Sequence, residues 1–297
     1  MTTGVTPPGR LGETRLASGR VLGWAEWGSP SGWPVLLCPG SATSRWLGVD
    51  VRAVQWLGVR LISVDRPGLG ASDAMADWTL HNWAADIGEF ARLRGLRGMA
   101  ALGYSMGAPC ALACAAAGVV TGVAVVSGTD EIAHPAFTDL LEPEAAMLVR
   151  LAARDPAAAQ GLLAEAATAD ALFELITGES GGRDDQVFGD PDFRDAYRHA
   201  LAEGFAQGPD GYARETVLAA MRWSFDPATV LVPVDLWYSE HDTNPFHSPD
   251  LGVTLARRIP AARRHVVSDA GAALPWTHAD DILGTLLARV AASAGKI

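Results

Sequence analysis

Ala100-Ala101-Leu102-Gly103-Tyr104-Ser105-Met106-Gly107-Ala108-Pro109-Cys110 decides how this chain is read. A short run suited to a buried strand meets Gly-Tyr-Ser-Met-Gly, and an alanine-rich helical stretch follows. The two glycines permit a tight turn and close helix–strand contact, so Ser105 is held strained with its hydroxyl exposed. The helix behind it supplies backbone N–H groups and a positive dipole end. Ser105 is therefore a candidate nucleophile; the plainer alternative is a glycine-rich helix start in which it is only a cap.

Outward from this junction, strand and helix alternate. Residues 14–28 suggest a hairpin turning at Ser18-Gly19, and Pro34–Cys38 and Val59–Val64 suit central strands ended by Pro-Gly signals. Residues 80–95 carry a helical pattern, Met106–Ala117 a helix and Val119–Val126 a strand. From about Glu131 to Pro227 the chain is helical and loop-like, with an exposed loop expected at 178–185. Strands at Val234–Tyr238 and Arg264–Val267 and helices at Pro249–Arg258 and His278–Ala292 then resume the alternation. The expected fold is α/β: a mostly parallel sheet with helices on both faces, formed by 1–130 and 228–297 and split by a helical insertion at 131–227.

Composition narrows the class. The 297 residues are 49% hydrophobic and 19% charged, enough for a sizeable core. The net charge of -11 disfavours nucleic acid and anionic membrane surfaces as partners, leaving a small molecule as the expected one. Cys38, Cys110 and Cys114 make no disulfide scaffold, and no Cys/His cluster has zinc spacing. Pro109–Val126 is the most lipid-like stretch, but its glycines and threonine read as buried helix and strand. The N-terminal stretch has no apolar core of signal-peptide type, so a cytoplasmic location is expected.

With these segments in place, the chain resembles the α/β-hydrolase superfamily over nearly its whole length. Besides the Ser105 junction, Leu36-Leu37-Cys38-Pro39-Gly40-Ser41 is similar to the family's loop after the third strand, with Pro39 where histidine is usual. Asp65-Arg66-Pro67-Gly68-Leu69-Gly70-Ala71-Ser72 is similar to its D-x-x-G-x-G-x-S motif, and Tyr238-Ser239-Glu240-His241-Asp242 falls where members carry an acid. The resemblance implies Ser105 as nucleophile, Ser41 and Met106 as oxyanion-hole amides, Asp242 as orienting acid with Asp130 as runner-up, and no cofactor. It also implies that 131–227 is a helical cap.

By the same resemblance the histidine belongs at position 272, which is Ala272. An alanine accepts no proton, so the usual base is missing there, whether by nature or by substitution. Candidate replacements are His278, His241, His247 in the loop after Asp242, and His134 in the cap; His81, His199 and His265 read as surface or packing residues. Trp276, Met147 and Trp223 are the expected substrate-contacting residues. The implied function is a serine hydrolase of carboxylic esters or related acyl compounds, disabled or altered at 272. The alternatives are a non-hydrolytic small-molecule binder or receptor, and a lyase or cyclase on the same fold.

Overall fold

The computed structural model describes residues 3–178 and 182–295. Among them eight strands form one sheet: β1 Arg10–Arg15, β2 Val21–Gly28, β3 Trp33–Cys38, β4 Val59–Val64, β5 Ala100–Tyr104, β6 Val123–Val126, β7 Val234–Ser239 and β8 Ala262–Val267. Their order is β1-β2-β4-β3-β5-β6-β7-β8. Only β2 breaks the parallel run, pairing antiparallel with both β1 and β4.

The central strands are apolar on both faces because both faces are covered. Leu36, Ile62, Ala101, Val123, Val125 and Leu236 join one core, beneath α2 (Leu80–Leu93) and α3 (Ala108–Ala116). Their neighbours Val35, Leu37, Leu61, Leu102, Ala124 and Trp237 point the other way into a second core. That core includes Ala53 and Val54 of α1 (Val51–Trp56) and Ile282, Leu283 and Leu286 of the long C-terminal helix.

Among the described residues, six helices intervene between β6 and β7: α4 Pro143–Arg154, α5 Pro156–Ala166, α6 Ala169–Gly178, α7 Asp185–Phe188, α8 Pro191–Gly204 and α9 Asp210–Ala219. After β7 come α10 Val253–Arg258, α11 Leu274–Thr277 and α12 Ala279–Ala294. No helix of the described residues is long and apolar enough to cross a membrane.

Two expected elements are trimmed for local reasons. The helix anticipated from Pro249 begins at Val253, because Leu251 and Gly252 take φ of +53° and +77° and break any earlier turn. The strand anticipated from Val119 begins at Val123, since the Val119 amide still closes the preceding helix on Cys114 O. Of the loop expected at 178–185, Glu179, Ser180 and Gly181 lie outside the described residues. Asp184, in contrast to the exposed setting expected, is 1% exposed.

Candidate active site

The turn after β5 has little room for anything but glycine on either side of the serine. A Cβ on Gly103 would stand 2.8 Å from Ala108 Cα, and one on Gly107 would stand 1.9 Å from the Cys38 carbonyl oxygen. Ser105 itself has φ of +50°, a left-handed conformation that costs on the order of 1 kcal/mol or more for a residue with a Cβ.

His247 completes the constellation. Its Nε2 lies 2.8 Å from Ser105 Oγ and its Nδ1 lies 2.7 Å from Asp242 Oδ2. The hydrogen-bond set assigns the proton on Nδ1, donated to the carboxylate, leaving Nε2 to accept from the serine hydroxyl. The His247 and Asp242 side chains are 5% and 2% exposed, so the pair is shielded from water. A doubled turn brings them together: Asp242 Oδ1 accepts from the Asn244 amide, Asn244 Oδ1 accepts from Phe246, and the His247 amide donates to Asn244 O.

The expectation that Ala272 leaves the serine without a base is corrected by this geometry. The loop after β8 borders the same cavity at Ala272, which carries no proton acceptor in its side chain. The Gly271, Ala272 and Ala273 amides donate to the Asp184 carboxylate at 3.1, 2.7 and 3.2 Å. Burial pushes the Asp184 carboxyl above the ordinary aspartate range; those three amides oppose the shift and nearby Asp242 adds to it.

Asp130, the runner-up acid, does not touch the histidine. It accepts from the Glu131 amide at 2.7 Å and from the Ser248 hydroxyl at 3.3 Å, next to His247 in the chain. His241 also borders the cavity, with its ring near Glu240, whereas His278 contacts Asp269 and His134 caps its own turn.

The loop after β3 is clamped from behind. Arg66 donates to the carbonyls of Pro39 and Gly40 at 2.8 and 2.7 Å and to Glu215 Oε2 of α9 at 2.5 Å. Glu215 Oε1 in turn accepts from the Ala42 amide at 2.6 Å. Because the Gly40–Ser41 peptide is trans, a Gly40 carbonyl turned to Arg66 points the Ser41 N–H the opposite way. Ser41 and Met106 both border the cavity, as does Ser105. Pro39, where the family usually has histidine, thus contributes its carbonyl to the Arg66 clamp.

The cavity holds about 110 Å³. Ser105, Asp242 and His247 line its floor; Leu148, Leu163, Leu172, Ile176 and Phe188 of the insertion, with Phe246, supply apolar walls. Among the described residues, its lining includes two aspartates and no arginine or lysine. The three residues expected to contact substrate do not line it. Met147 faces outward, 54% exposed. Trp223 stacks on Phe225 beside a separate shallow depression, and Trp276 packs edge-on against Tyr104 and Phe193 with its indole N–H on Gly48 O. Burial pushes all three cysteine thiols up, so they are packing groups rather than thiolate nucleophiles.

The alpha/beta hydrolase family model matches residues 35–285. No curated protein matches this chain in sequence. Among solved structures, a thermophilic esterase from Thermogutta terrifontis is similar at 22% identity and TM-score 0.66, covering 95% of this chain and 99% of that one. The enol-lactonase from Burkholderia xenovorans LB400 is 19% identical with TM-score 0.67, covering 94% and 100%. A bromoperoxidase from Bacillus anthracis is 16% identical with TM-score 0.68, covering 94% and 99%. Likeness at these identities is likeness of fold.

Proposed function

The chain belongs to the alpha/beta hydrolase family, and from that premise we propose that it hydrolyses uncharged carboxylic esters or lactones through Ser105, His247 and Asp242. The observation that carries this reading is the unbroken hydrogen-bonded line from Asp242 through His247 to Ser105 on the floor of an apolar cavity. Esterase and enol-lactonase neighbours of the same fold are compatible with it.

In this mechanism Ser105 Oγ attacks the acyl carbon as its proton passes to His247 Nε2. Asp242 holds the ring in the required tautomer and stabilises the imidazolium. The Ser41 and Met106 amides receive the developing oxyanion, fixed beforehand by the Arg66 clamp and the turn. His247 then protonates the leaving alcohol. A water, deprotonated by the same nitrogen, cleaves the acyl-serine to release the carboxylic acid. The helical insertion acts as a cap, its leucines and Phe188 receiving the apolar part of the substrate.

The non-hydrolytic readings rested on a missing base, and His247 removes that motive. The test is turnover of p-nitrophenyl butyrate, paired with fluorophosphonate labelling read by mass spectrometry. Turnover and a Ser105 adduct, both lost in Ser105→Ala, are the expected results. A folded wild-type protein that neither turns over nor labels overturns the proposal.

A further inference from the structure

Asp184 is the N-cap residue of α7, yet its side chain makes no bond to that helix. An aspartate at this position ordinarily accepts from the second or third amide of its own helix. Here the carboxylate turns away and takes three amides from residues 271–273, across 87 to 89 positions of chain. Gly271 is matched to it, since a Cβ there would stand 2.3 Å from Asp184 Oδ2. The receiving loop is itself tied to the sheet, with Ser239 Oγ donating to Ala270 O and Ser127 Oγ to Ala272 O. A rigid part of the core thus grips one carboxylate of the insertion.

What that grip positions is a wall of the cavity. The backbone carbonyl of Asp184 accepts from Val187 and Phe188, so α7 is built directly on this residue. Phe188 packs edge-on against Phe193 and lines the cavity. Helix α7 also leans on α8, where Arg194 Nη1 donates to Phe188 O at 3.0 Å, while α4 and α5 pack on each other, α5 on α9, and α6 on α8.

We propose that Asp184 is a specificity-determining positioning residue: by holding the 271–273 amides it fixes α7 and Phe188 as the end wall of the acyl cavity, restricting the site to short acyl chains. The selectivity half of this rests on the hydrolase reading above; the positional half does not. An unpaired nest of three amides, those of Gly271 and Ala273 buried and that of Ala272 partly so, would cost more than a lost surface contact, so removing the carboxylate should loosen both partners together.

The test compares wild type with Asp184→Asn and Asp184→Ala. Hydrogen–deuterium exchange is followed in peptides covering 185–188 and 271–273, and kcat/KM is measured for p-nitrophenyl acetate, butyrate and octanoate. Faster exchange in both segments, with the core strands unchanged, is expected. The octanoate-to-acetate ratio of kcat/KM should rise about ten-fold or more in the alanine variant. The asparagine variant retains one acceptor oxygen and should fall between. Faster exchange at 271–273 alone with an unchanged ratio overturns the proposal, leaving Asp184 as a loop cap. Global loss of structure in both variants also overturns it, because Asp184 would then support the domain and not a wall. If wild type cleaves no ester while both segments loosen as expected, the hydrolase reading fails and the positional assignment stands.

Discussion

Asp242 and His247 lie five residues apart on a single loop, and from there His247 reaches Ser105, 142 residues earlier in the chain. Acid and base are thereby fixed relative to one another by one local turn, and only the distance to the serine depends on the sheet. The turn is held by Asx-type bonds at Asp242 and Asn244, whose side-chain oxygens accept amides two residues on.

His247→Ala should therefore reduce kcat by about 10⁴ to 10⁶-fold while leaving the fold intact. Ala272→His in the wild-type background should not raise turnover. Both are checked with p-nitrophenyl butyrate; an increase of several orders of magnitude on placing histidine at 272 would mean that His247 is not the working base.

Glu215→Gln should act at two levels. Arg66 is 1% exposed and loses its carboxylate partner, at a cost of about 3–5 kcal/mol of stability by chemical denaturation. The remaining folded protein should show a lower kcat with a smaller change in KM, since in the proposed mechanism the Ser41 amide steadies the transition state more than the ground state. A variant with wild-type stability and kcat would show that the clamp is dispensable.

Asp130 predicts a pH dependence of stability. Burial pushes its carboxyl up to about 7 from an ordinary value of 3.8, with Asp250 adding to the shift and the Glu131 amide, Arg258 and the Ser248 hydroxyl opposing it. Between those values the folded protein keeps a proton that the unfolded chain has released. Its contribution to stability is thus greatest below about 4, declines as pH rises towards 7 and is flat above. Asp130→Asn removes this slope, so the variant should gain on wild type between pH 5 and pH 8 in urea titrations, by a few kcal/mol at most. Parallel stability curves for the two proteins would contradict the assignment.

The charge of the cavity predicts discrimination among acyl groups. With Asp184 and Asp242 in its lining and no arginine or lysine among the described residues there, a carboxylate on the acyl chain meets repulsion in a poorly hydrated site. A hemisuccinate ester should be cleaved at least about ten-fold less efficiently than the butyrate of the same alcohol. Equal kcat/KM values would mean that the acyl chain does not enter this cavity.

Features encoded locally could be read from sequence. The hairpin at Ser18-Gly19, β4 at Val59–Val64 and the Gly103–Gly107 turn each follow from glycine, β-branching and short apolar runs within a few residues. The six-residue helix Val51–Trp56 escaped because it is too short to show a period, although Asp50 caps it. His247 was one of several candidates, and the signal that favours it is Asn244-Pro245, a turn-forming pair that doubles the chain back after Asp242. Asp184 sits in a glycine- and charge-rich stretch that reads as exposed; its burial is set by amides from the other end of the chain, which no local pattern reports. Met147, Trp223 and Trp276 show the same limit, for an apolar residue on a helix or loop can pack outward, inward or behind the site.

Placing acid and base together after β7 alters what mutation can reach. The loop after β8 is held through main-chain amides, so its side chains carry little chemical duty, and Ala272, on the border of the cavity, can exchange with other small residues as long as the backbone path survives. Gly271 cannot, because Asp184 occupies the space a side chain would need. Inheritance in this segment should therefore preserve a shape rather than a reactive group, and descendants of such a chain would keep the glycine while varying the residue beside it.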